Sequence, residues 1–365
     1  MFSRIKYINY PAAIRKKMVA KEKSKRKRKK PVGKIALAVI LVLILALAGA
    51  LVASWYKGRA SQQSDFTLDA DAVGVENGTA PIIKDSGKTV TYKGKTYKYN
   101  SNIVSFALIG IDKESMGLDN GVVGTGGQSD TIAVLAYDVS TGLSKIIVVP
   151  RETMTEVSTY DVNGGYLDIK KMQICLAYAY GDGARTSCEN ALSSISRLLF
   201  GMQINHYIAL DLDGITAIND AVGGVEVTCL ETIGQFTEGK TVTLMGDMAE
   251  DYVRDRRHDI VDADTARRAR QKQYIEAFVS KAMGMIKKDF TLVPRLWSFT
   301  TDYTVTDLTV NDVTFLSSVA LRKSFELGEF STVPGTYSMG ERYAEYTADE
   351  DALFELVLNT FYTVV

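Results

Sequence analysis

Four arginines lie close together in the second half of this 365-residue chain: Arg254, Arg256, Arg267 and Arg270. Their surroundings are acidic, because the first 34 residues carry 14 Lys/Arg and one Glu, which leaves 29 basic and 42 acidic residues in the rest of the chain. In a portion with a net charge near −13, clustered guanidinium groups indicate a bound anion. A phosphate held by planar guanidinium forks is the most natural one.

The second half of this arginine cluster has helical spacing. Arg267, Arg270 and Gln271 occupy positions i, i+3 and i+4 of a helix predicted over 264–285, so their side chains share one helix face. A shared face lets all three contact one ligand.

The first half of the cluster depends on local conformation. Arg254 and Arg256 share a side if their stretch is extended, whereas a helical stretch would pair Arg254 with Arg257. A solvated helix face with salt bridges to nearby aspartates is the alternative interpretation, and it suits Arg257 and Arg268. It suits the other arginines less well, because charged faces usually use Lys and Glu.

Acidic and basic residues also follow the predicted strands. Asp112 comes directly after the apolar run 103–111, Asp130 opens the next strand, and Arg151 ends the third. Ligands of open α/β sheets usually bind at such strand ends. The glycine-rich connection 117–127 lacks the spacing of a P-loop and is given no phosphate role.

Two carboxylates and several arginines suit phosphoryl transfer. Mg²⁺ commonly takes one or two carboxylates and completes its coordination with phosphate oxygens and water. Arginines neutralise the remaining phosphate charge, and such electrostatic stabilisation is most of catalysis in this chemistry. If the site faces the outside of the cell, where no ATP pool exists, a lipid-linked diphosphate is the most natural substrate.

Buried strands alternate with helices along the main part of the chain. Strands are predicted over 103–111, 131–137, 143–149, 204–211 and 225–229, and helices over 188–200, 214–222, 264–285 and 352–362. This order predicts an α/β fold in which a mixed central sheet is covered by helices on both faces.

The N-terminal part predicts a membrane anchor. The uncharged apolar stretch 35–55 is long enough to cross a bilayer, and the basic residues before it place the N-terminus in the cytoplasm and the rest outside. A cleaved signal peptide is the alternative, but it would have a shorter apolar core. The predicted segments are a basic cytoplasmic tail (1–34), one transmembrane helix (35–55), an extracellular stalk with a small β-hairpin (56–101) and the catalytic domain (102–365). With the arginine cluster outside the cell, no nucleic-acid partner is expected.

The three cysteines, Cys175, Cys188 and Cys229, leave two alternatives. Cys175 and Cys188 are near enough in sequence to form a disulfide, or all three are buried free thiols. The two histidines and the absence of a Cys-x-x-Cys motif in the sequence give no zinc signature.

Several motifs together resemble the LytR–CpsA–Psr family of cell-envelope glycopolymer ligases. They span residues 106–283 and comprise Leu108-Ile109-Gly110-Ile111-Asp112, Ser129-Asp130-Thr131, Val149-Pro150-Arg151-Glu152-Thr153, Ala177-Tyr178-Ala179-Tyr180-Gly181, Gly223-Gly224-Val225-Glu226-Val227, Tyr252-Val253-Arg254-Asp255-Arg256 and Arg267 to Gln271. Each motif alone is weak, but their order and spacing are specific.

The resemblance implies a membrane-bound enzyme that moves a glycopolymer, such as wall teichoic acid or capsule, from undecaprenyl diphosphate to peptidoglycan. The new link would be a phosphodiester, usually to the C6 hydroxyl of N-acetylmuramic acid. The resemblance also implies that Asp112 and Asp130 hold Mg²⁺, with Mn²⁺ as an alternative. The implied catalytic residues are Asp130, Arg151, Arg254 and Arg256, and the implied diphosphate contacts are Arg151, Arg254, Arg256, Arg267, Arg270 and Gln271.

Two departures from the family pattern stand out. This chain has Pro150-Arg151-Glu152 where relatives often have Pro-Arg-Asp, which keeps the carboxylate. It has Gln173 where many have a lysine, and Lys170 and Lys171 stand just before it. Phosphate contact by either lysine stays open. Two other functions also stay open: a non-catalytic polyisoprenoid- or glycan-binding regulator, and a lipid diphosphate hydrolase.

Overall fold

A computed structural model describes residues 57–58, 68, 80–255, 263–300 and 302–365. The predicted tail 1–34 and the predicted span 35–55 lie outside these residues, as does most of the predicted stalk before residue 80. Within the described ranges, no helix combines the length and the apolar character needed to cross a membrane.

Strands and helices are numbered here in chain order. The strands β1 to β16 are Ile82–Lys84, Thr89–Tyr92, Lys95–Tyr99, Ile103–Ile111, Ser129–Asp138, Ser144–Val149, Met154–Tyr160, Tyr166–Gln173, His206–Leu210, Val225–Thr228, Thr241–Leu244, Thr304–Thr306, Phe330–Thr332, Gly335–Met339, Ala344–Ala348 and Tyr362–Val364. The helices α1 to α7 are Arg185–Leu198, Leu212–Ala221, Met248–Arg254, Ala263–Lys288, Leu292–Thr300, Val310–Lys323 and Glu350–Phe361.

The central sheet has six strands in the order β12-β9-β4-β5-β6-β13. Strand β4 pairs in parallel with β9 and antiparallel with β5, and β6 pairs antiparallel with β5 and in parallel with β13. The predicted mixed sheet is therefore confirmed.

Strand β4 is apolar at nearly every position because it lies inside the sheet and both of its faces are covered. Alternate residues of a strand point to opposite faces of the sheet. Ala107 and Ile109 belong to the same core cluster as Ile195 of α1, whereas Phe106 belongs to the cluster that contains Phe315 of α6. Helices thus cover both faces of β4, and none of its nine residues is exposed, unlike the alternating pattern of a one-sided sheet.

The predicted N-terminal hairpin forms, but it is part of the main domain. Strands β2 and β3 pair around Lys93 and Gly94, whose φ values of 46° and 74° suit a two-residue hairpin turn. Strand β3 also pairs with the C-terminal strand β16, and Tyr92 and Tyr97 lie in the main core. The sequence placed this hairpin in a stalk because its partner strand is far away along the chain.

A smaller lobe is built from β10, β11, α3 and the long helix α4. Its separate core includes Val225, Leu244 and Tyr252, with Phe278 of α4 packed against it. Gly224 has φ +72°, and a Cβ there would lie 2.6 Å from the Leu244 carbonyl oxygen, so the β10–β11 approach requires glycine. This lobe carries the arginines of α3 and α4.

All three cysteines are buried free thiols, and the alternative disulfide between Cys175 and Cys188 does not form.

Candidate functional site

Three of the predicted site residues meet at one edge of the central sheet. Because β4 and β5 are antiparallel, with Ile111 opposite Ser129, the end of β4 lies beside the start of β5. The end of β6 lies on the other side of β5. Asp112, Asp130 and Arg151 therefore follow or open neighbouring strands at the same edge, as the strand-end rule predicts.

Asp112 is held in place by the backbone of the next strand. The amide N of Gln128 donates to Asp112 Oδ1 at 2.6 Å, and the Asp112 amide donates to the Gln128 carbonyl at 3.1 Å. The carboxylate thus enters the site with a defined orientation.

The glycine-rich loop beside Asp112 is fastened by one lysine. Lys113 Nζ donates to the carbonyl oxygens of Gly117 at 3.0 Å and Thr125 at 3.1 Å, one near each end of the loop. The loop also contacts the motif Ala177 to Gly181, since Gly124 N donates to the Ala179 carbonyl at 2.9 Å. A Cβ on Gly183 would lie 2.5 Å from the Gly117 carbonyl carbon, so no larger residue fits there without a shift.

Arg151 joins two carboxylates. Its Nη1 donates to Asp130 Oδ1, and its Nε donates to Glu152 Oε1 at 2.9 Å. Partial burial favours loss of the proton, but the bonds to Glu152 and Asp130 outweigh it and raise the pKa of Arg151 above its already high value. Arg151 is a permanent cation, 43% exposed, at the mouth of the site.

The smaller lobe supplies the other cations. Arg254 is the last residue of α3, is 54% exposed and pairs with Glu250 one turn earlier. Arg267 and Gln271 lie one turn apart on α4, on the shared face that the sequence predicted. Gln271 Nε2 donates to the Val253 carbonyl at 3.1 Å, which ties α4 to the end of α3.

These side chains surround one cavity of about 390 Å³. It is lined by Gly110, Ile111, Asp112, Asp130, Thr131, Arg151, Leu210, Asp211, Leu212, Ile215, Val253, Arg254, Arg267 and Gln271. The structure thus brings together six predicted residues from distant parts of the chain: two carboxylates, three guanidinium groups and one amide. Such a balance suits a multiply charged anion together with a cation.

Arg270 lies elsewhere. Its side chain is 1% exposed, and its donors go to Glu231 Oε1 at 2.9 Å and to the carbonyl oxygens of Tyr252 and Asp255. Its guanidinium also lies 5.7 Å from the Tyr252 ring centroid. Arg270 is not among the residues that line the cavity, although the sequence predicted a phosphate contact. It holds the end of α3, and with it Arg254, against α4.

Arg256 lies outside the described residues, so its predicted role stays a prediction. The two candidate lysines lie on β8, where Lys170 is 56% exposed and 3.7 Å from Asp168. Lys171 lines a different cavity, beside Arg197 and Glu350.

Asp211 is a site residue that the sequence analysis missed. It is 4% exposed, lines the cavity and caps α2 by accepting the Gly214 amide at 2.9 Å. Burial raises the pKa of its carboxyl despite bonds from the Gly214 and Met116 amides. Its position after β9, which runs parallel to β4, was the available signal, since parallel strands end at the same sheet edge.

Cys175 lies close to the ion pair of Asp130 and Arg151, and its amide donates to the Arg151 carbonyl at 3.2 Å. Burial raises the pKa of its thiol to about 11, so the group is protonated at neutral pH. A thiolate is the nucleophilic form of cysteine. Covalent chemistry at sulfur is therefore disfavoured.

The carboxylates of the cavity fit Mg²⁺ if phosphate oxygens and water complete its coordination. Among the described residues, no three His, Cys, Asp or Glu side chains gather into a metal site made by protein alone. Asp112 and Asp130 line the same cavity as the cations. Two carboxylates leave positions for phosphate oxygens and water, which is the usual arrangement for Mg²⁺ at a phosphorylated substrate.

Comparison with known proteins agrees with this architecture. The family model described as "LytR_cpsA_psr family" matches residues 73–360. A protein of Halalkalibacterium halodurans named "polyisoprenyl-teichoic acid–peptidoglycan teichoic acid transferase TagU" is 33% identical over 162 residues, 43% of this chain and 48% of that protein. An Enterococcus faecalis protein of the same name is 28% identical over 262 residues, 70% of this chain and 77% of the relative.

The extent of these matches varies. The chain spans about half the length of the first of these relatives. Among solved structures, a Streptococcus agalactiae protein has a TM-score of 0.57 at 18% identity, with 72% of this chain and 90% of that one covered. This likeness shows the same fold. Because the family model covers most of the chain, from the N-terminal hairpin to the last helix, the protein belongs to the LytR–CpsA–Psr family.

Proposed function

We propose that this protein is a membrane-anchored phosphotransferase that attaches an undecaprenyl-diphosphate-linked anionic glycopolymer to peptidoglycan through a phosphodiester. One observation carries the proposal. Asp112, Asp130 and Arg151 of the sheet edge, Arg254 of α3 and Arg267 of α4 line one cavity. A binding site for a neutral glycan would not need this density of charge.

The relatives support the choice of substrates. The names of the H. halodurans and E. faecalis proteins contain both a polyisoprenyl-linked teichoic acid and peptidoglycan. A diphosphate between lipid and glycan is the group that three arginines and a metal would recognise. Wall teichoic acid is one such glycopolymer, and capsule-like polymers share the same linkage.

The residues of the cavity have different roles in the proposed reaction. Arg151, Arg254 and Arg267 bind the diphosphate oxygens and offset the negative charge of the transition state. Gln271 orients the substrate through its amide while it stays bonded to the end of α3. Bound Mg²⁺, held by Asp112 and Asp130, would polarise the phosphate oxygens as a Lewis acid.

The bond changes follow an in-line displacement. A peptidoglycan hydroxyl oxygen forms a bond to the sugar-linked phosphorus and releases its proton to solvent water. The bond between that phosphorus and the bridging oxygen breaks, and undecaprenyl monophosphate leaves. Arg151 contacts Asp130 before substrate arrives, and this contact keeps both groups at the reacting phosphorus.

The proposed location is the outer face of the cell membrane. Residues 35–55 would form the single span and the basic tail 1–34 would stay in the cytoplasm, as the sequence predicts. This topology would place the catalytic domain outside the cell, anchored to the membrane that holds the lipid-linked donor.

The test uses the full-length protein in lipid nanodiscs with a lipid-linked glycan diphosphate, peptidoglycan fragments and Mg²⁺. Glycan coupled to peptidoglycan is the expected product. Free glycan phosphate would identify a hydrolase, and unreacted donor bound to the protein would identify a regulator that only binds. Either of these two outcomes would overturn the proposal.

A further inference from the structure

A second cavity adjoins the candidate site. It has a volume of about 290 Å³, near the lower end of the roughly 300–1,000 Å³ of small-molecule sites. The two cavities share five lining residues: Asp130, Thr131, Arg151, Arg267 and Gln271. The cavities of 520 and 610 Å³ elsewhere in the domain share no lining residue with the site. Among these cavities of the described residues, the second one adjoins the reacting groups.

The far wall of the second cavity is chemically different from the site. It lacks Asp112 and Arg254, and besides the apolar residues Ile132, Val148, Val149 and Pro150 it adds Glu152, Arg268, Thr332 and Tyr337. A carboxylate, a guanidinium, a hydroxyl and an aromatic ring can hydrogen-bond sugar hydroxyls and cover the apolar face of a sugar ring. Asp112 and Arg254 line only the first cavity, whereas Asp130, Arg151, Arg267 and Gln271 form the wall that both cavities share.

Tyr337 is held firmly although it is 57% exposed. It lies on β14, and its ring packs edge-on against Tyr346, with centroids 4.7 Å apart. Tyr346 in turn donates its hydroxyl to the Val333 carbonyl at 2.7 Å and its amide to the Glu152 carbonyl at 3.0 Å. The hairpin of β14 and β15 is thus fastened to the turn that carries Arg151. A rigid exposed aromatic ring costs little entropy when a ligand stacks on it.

In a displacement at phosphorus, the attacking oxygen enters on the side opposite the leaving oxygen. The attacking and leaving oxygens lie roughly in line on either side of the phosphorus. Arg151 and Asp130 line both cavities, so a phosphorus bound at them adjoins both. The side with Asp112 and Arg254 suits the leaving lipid phosphate, which leaves the other side for the incoming hydroxyl.

We infer that the second cavity is the binding site for the acceptor saccharide, with a sugar ring of the peptidoglycan strand stacked on Tyr337 and its hydroxyl directed at the shared wall. This inference rests on the proposed transfer reaction and adds the location of its second substrate. Tyr337 lies outside the motifs that carried the resemblance, which end near residue 283.

The test measures transfer by full-length protein in nanodiscs as a function of acceptor concentration, with a lipid-linked glycan diphosphate at saturation and soluble peptidoglycan fragments as acceptor. Tyr337→Ala should raise the acceptor KM about tenfold, since an aromatic contact of this kind contributes roughly that factor. The kcat and the donor KM should stay near wild type. Tyr337→Phe keeps the ring and should restore the acceptor KM.

Two further variants control for folding and for general effects on the hairpin. Tyr343→Ala removes a 70% exposed tyrosine that is not among the residues lining the cavity, so its acceptor KM should be unchanged. Thr332→Trp should fill the cavity and raise the acceptor KM without any change at Tyr337. Equal effects of the Tyr337 and Tyr343 variants, or an unchanged acceptor KM in both Tyr337→Ala and Thr332→Trp, would overturn the inference. Wild-type protein that forms no coupled product would instead refute the proposed function.

Discussion

Replacing Arg270 by methionine should destabilise the smaller lobe and reduce activity only as a consequence. The guanidinium is 1% exposed and bonds Glu231 and the carbonyl oxygens of Tyr252 and Asp255. Methionine fills a similar length with apolar atoms but donates no hydrogen bond. The substitution would leave a carboxylate and two backbone acceptors in the lobe without their donor.

The magnitude follows from these contacts. Removing one partner of a buried ion pair costs about 3–5 kcal/mol, and Glu231 is 15% exposed, so the lower end applies to that pair. Each orphaned carbonyl adds about 1–3 kcal/mol unless water reaches it. The total is about 3 kcal/mol if water reaches both carbonyls and at least about 5 kcal/mol if both stay unsatisfied. A loss of about 3–5 kcal/mol corresponds to a fall in Tm of about 6–20 °C, at roughly 2–4 °C per kcal/mol for a domain of this class.

The matched control is Arg254→Met. Arg254 is 54% exposed and pairs with Glu250 at i,i+4, an arrangement that contributes about 0.3–0.5 kcal/mol. Its Tm should therefore stay within about 2 °C of wild type, while transfer is abolished because a diphosphate contact is lost.

The assay pairs thermal unfolding, followed by circular dichroism, with transfer measured well below the Tm of each variant. Arg270→Met should show the low Tm and keep a donor KM near wild type in its folded fraction. A wild-type Tm together with a strongly raised donor KM would refute the structural role and restore the phosphate contact that the sequence predicted.

Three other predictions concern the proposed metal ligands, the glycine-rich loop and Asp138 at the far end of β5. Asp112→Asn and Asp130→Asn should each raise the Mg²⁺ concentration for half-maximal transfer at least tenfold, since each removes a charged ligand; an unchanged metal titration would contradict the ligand assignment. Lys113→Met removes donors to two loop carbonyls, so the amides of residues 117–127 should lose protection in hydrogen-exchange mass spectrometry, and wild-type protection would argue against this tie. Burial would raise the pKa of Asp138, but bonds from Ser140 and Asn100 outweigh it and lower the pKa. The stability that Asp138 contributes is then present above about pH 3.9 and is lost as the pH falls through the lower pKa of the folded state. The difference in Tm between wild type and Asp138→Ala should therefore shrink between about pH 5 and 3. A constant difference would contradict this prediction.

The sequence by itself was sufficient for the parts of the site that depend on local pattern. The apolar run of β4 predicted a strand buried on both faces, and the residues that follow or open three strands were predicted to meet at the sheet edge, where they line one cavity. The spacing of Arg267 and Gln271 predicted their shared face. Helical period and strand alternation are local properties, so they can be read without knowing the fold.

Only the tertiary structure decided which neighbours these faces meet. Arg270 lies three residues after Arg267, yet Arg270 is buried against the end of α3 while Arg267 lines the cavity. The N-terminal hairpin joined the domain because β3 pairs with β16 at the far end of the chain. Tyr337 came beside Arg151 in the same way, through a hairpin that lies far from it in sequence. The sequence pattern determines which residues share a face, whereas tertiary packing determines what that face contacts, because the partners come from other segments of the chain and no local period encodes them.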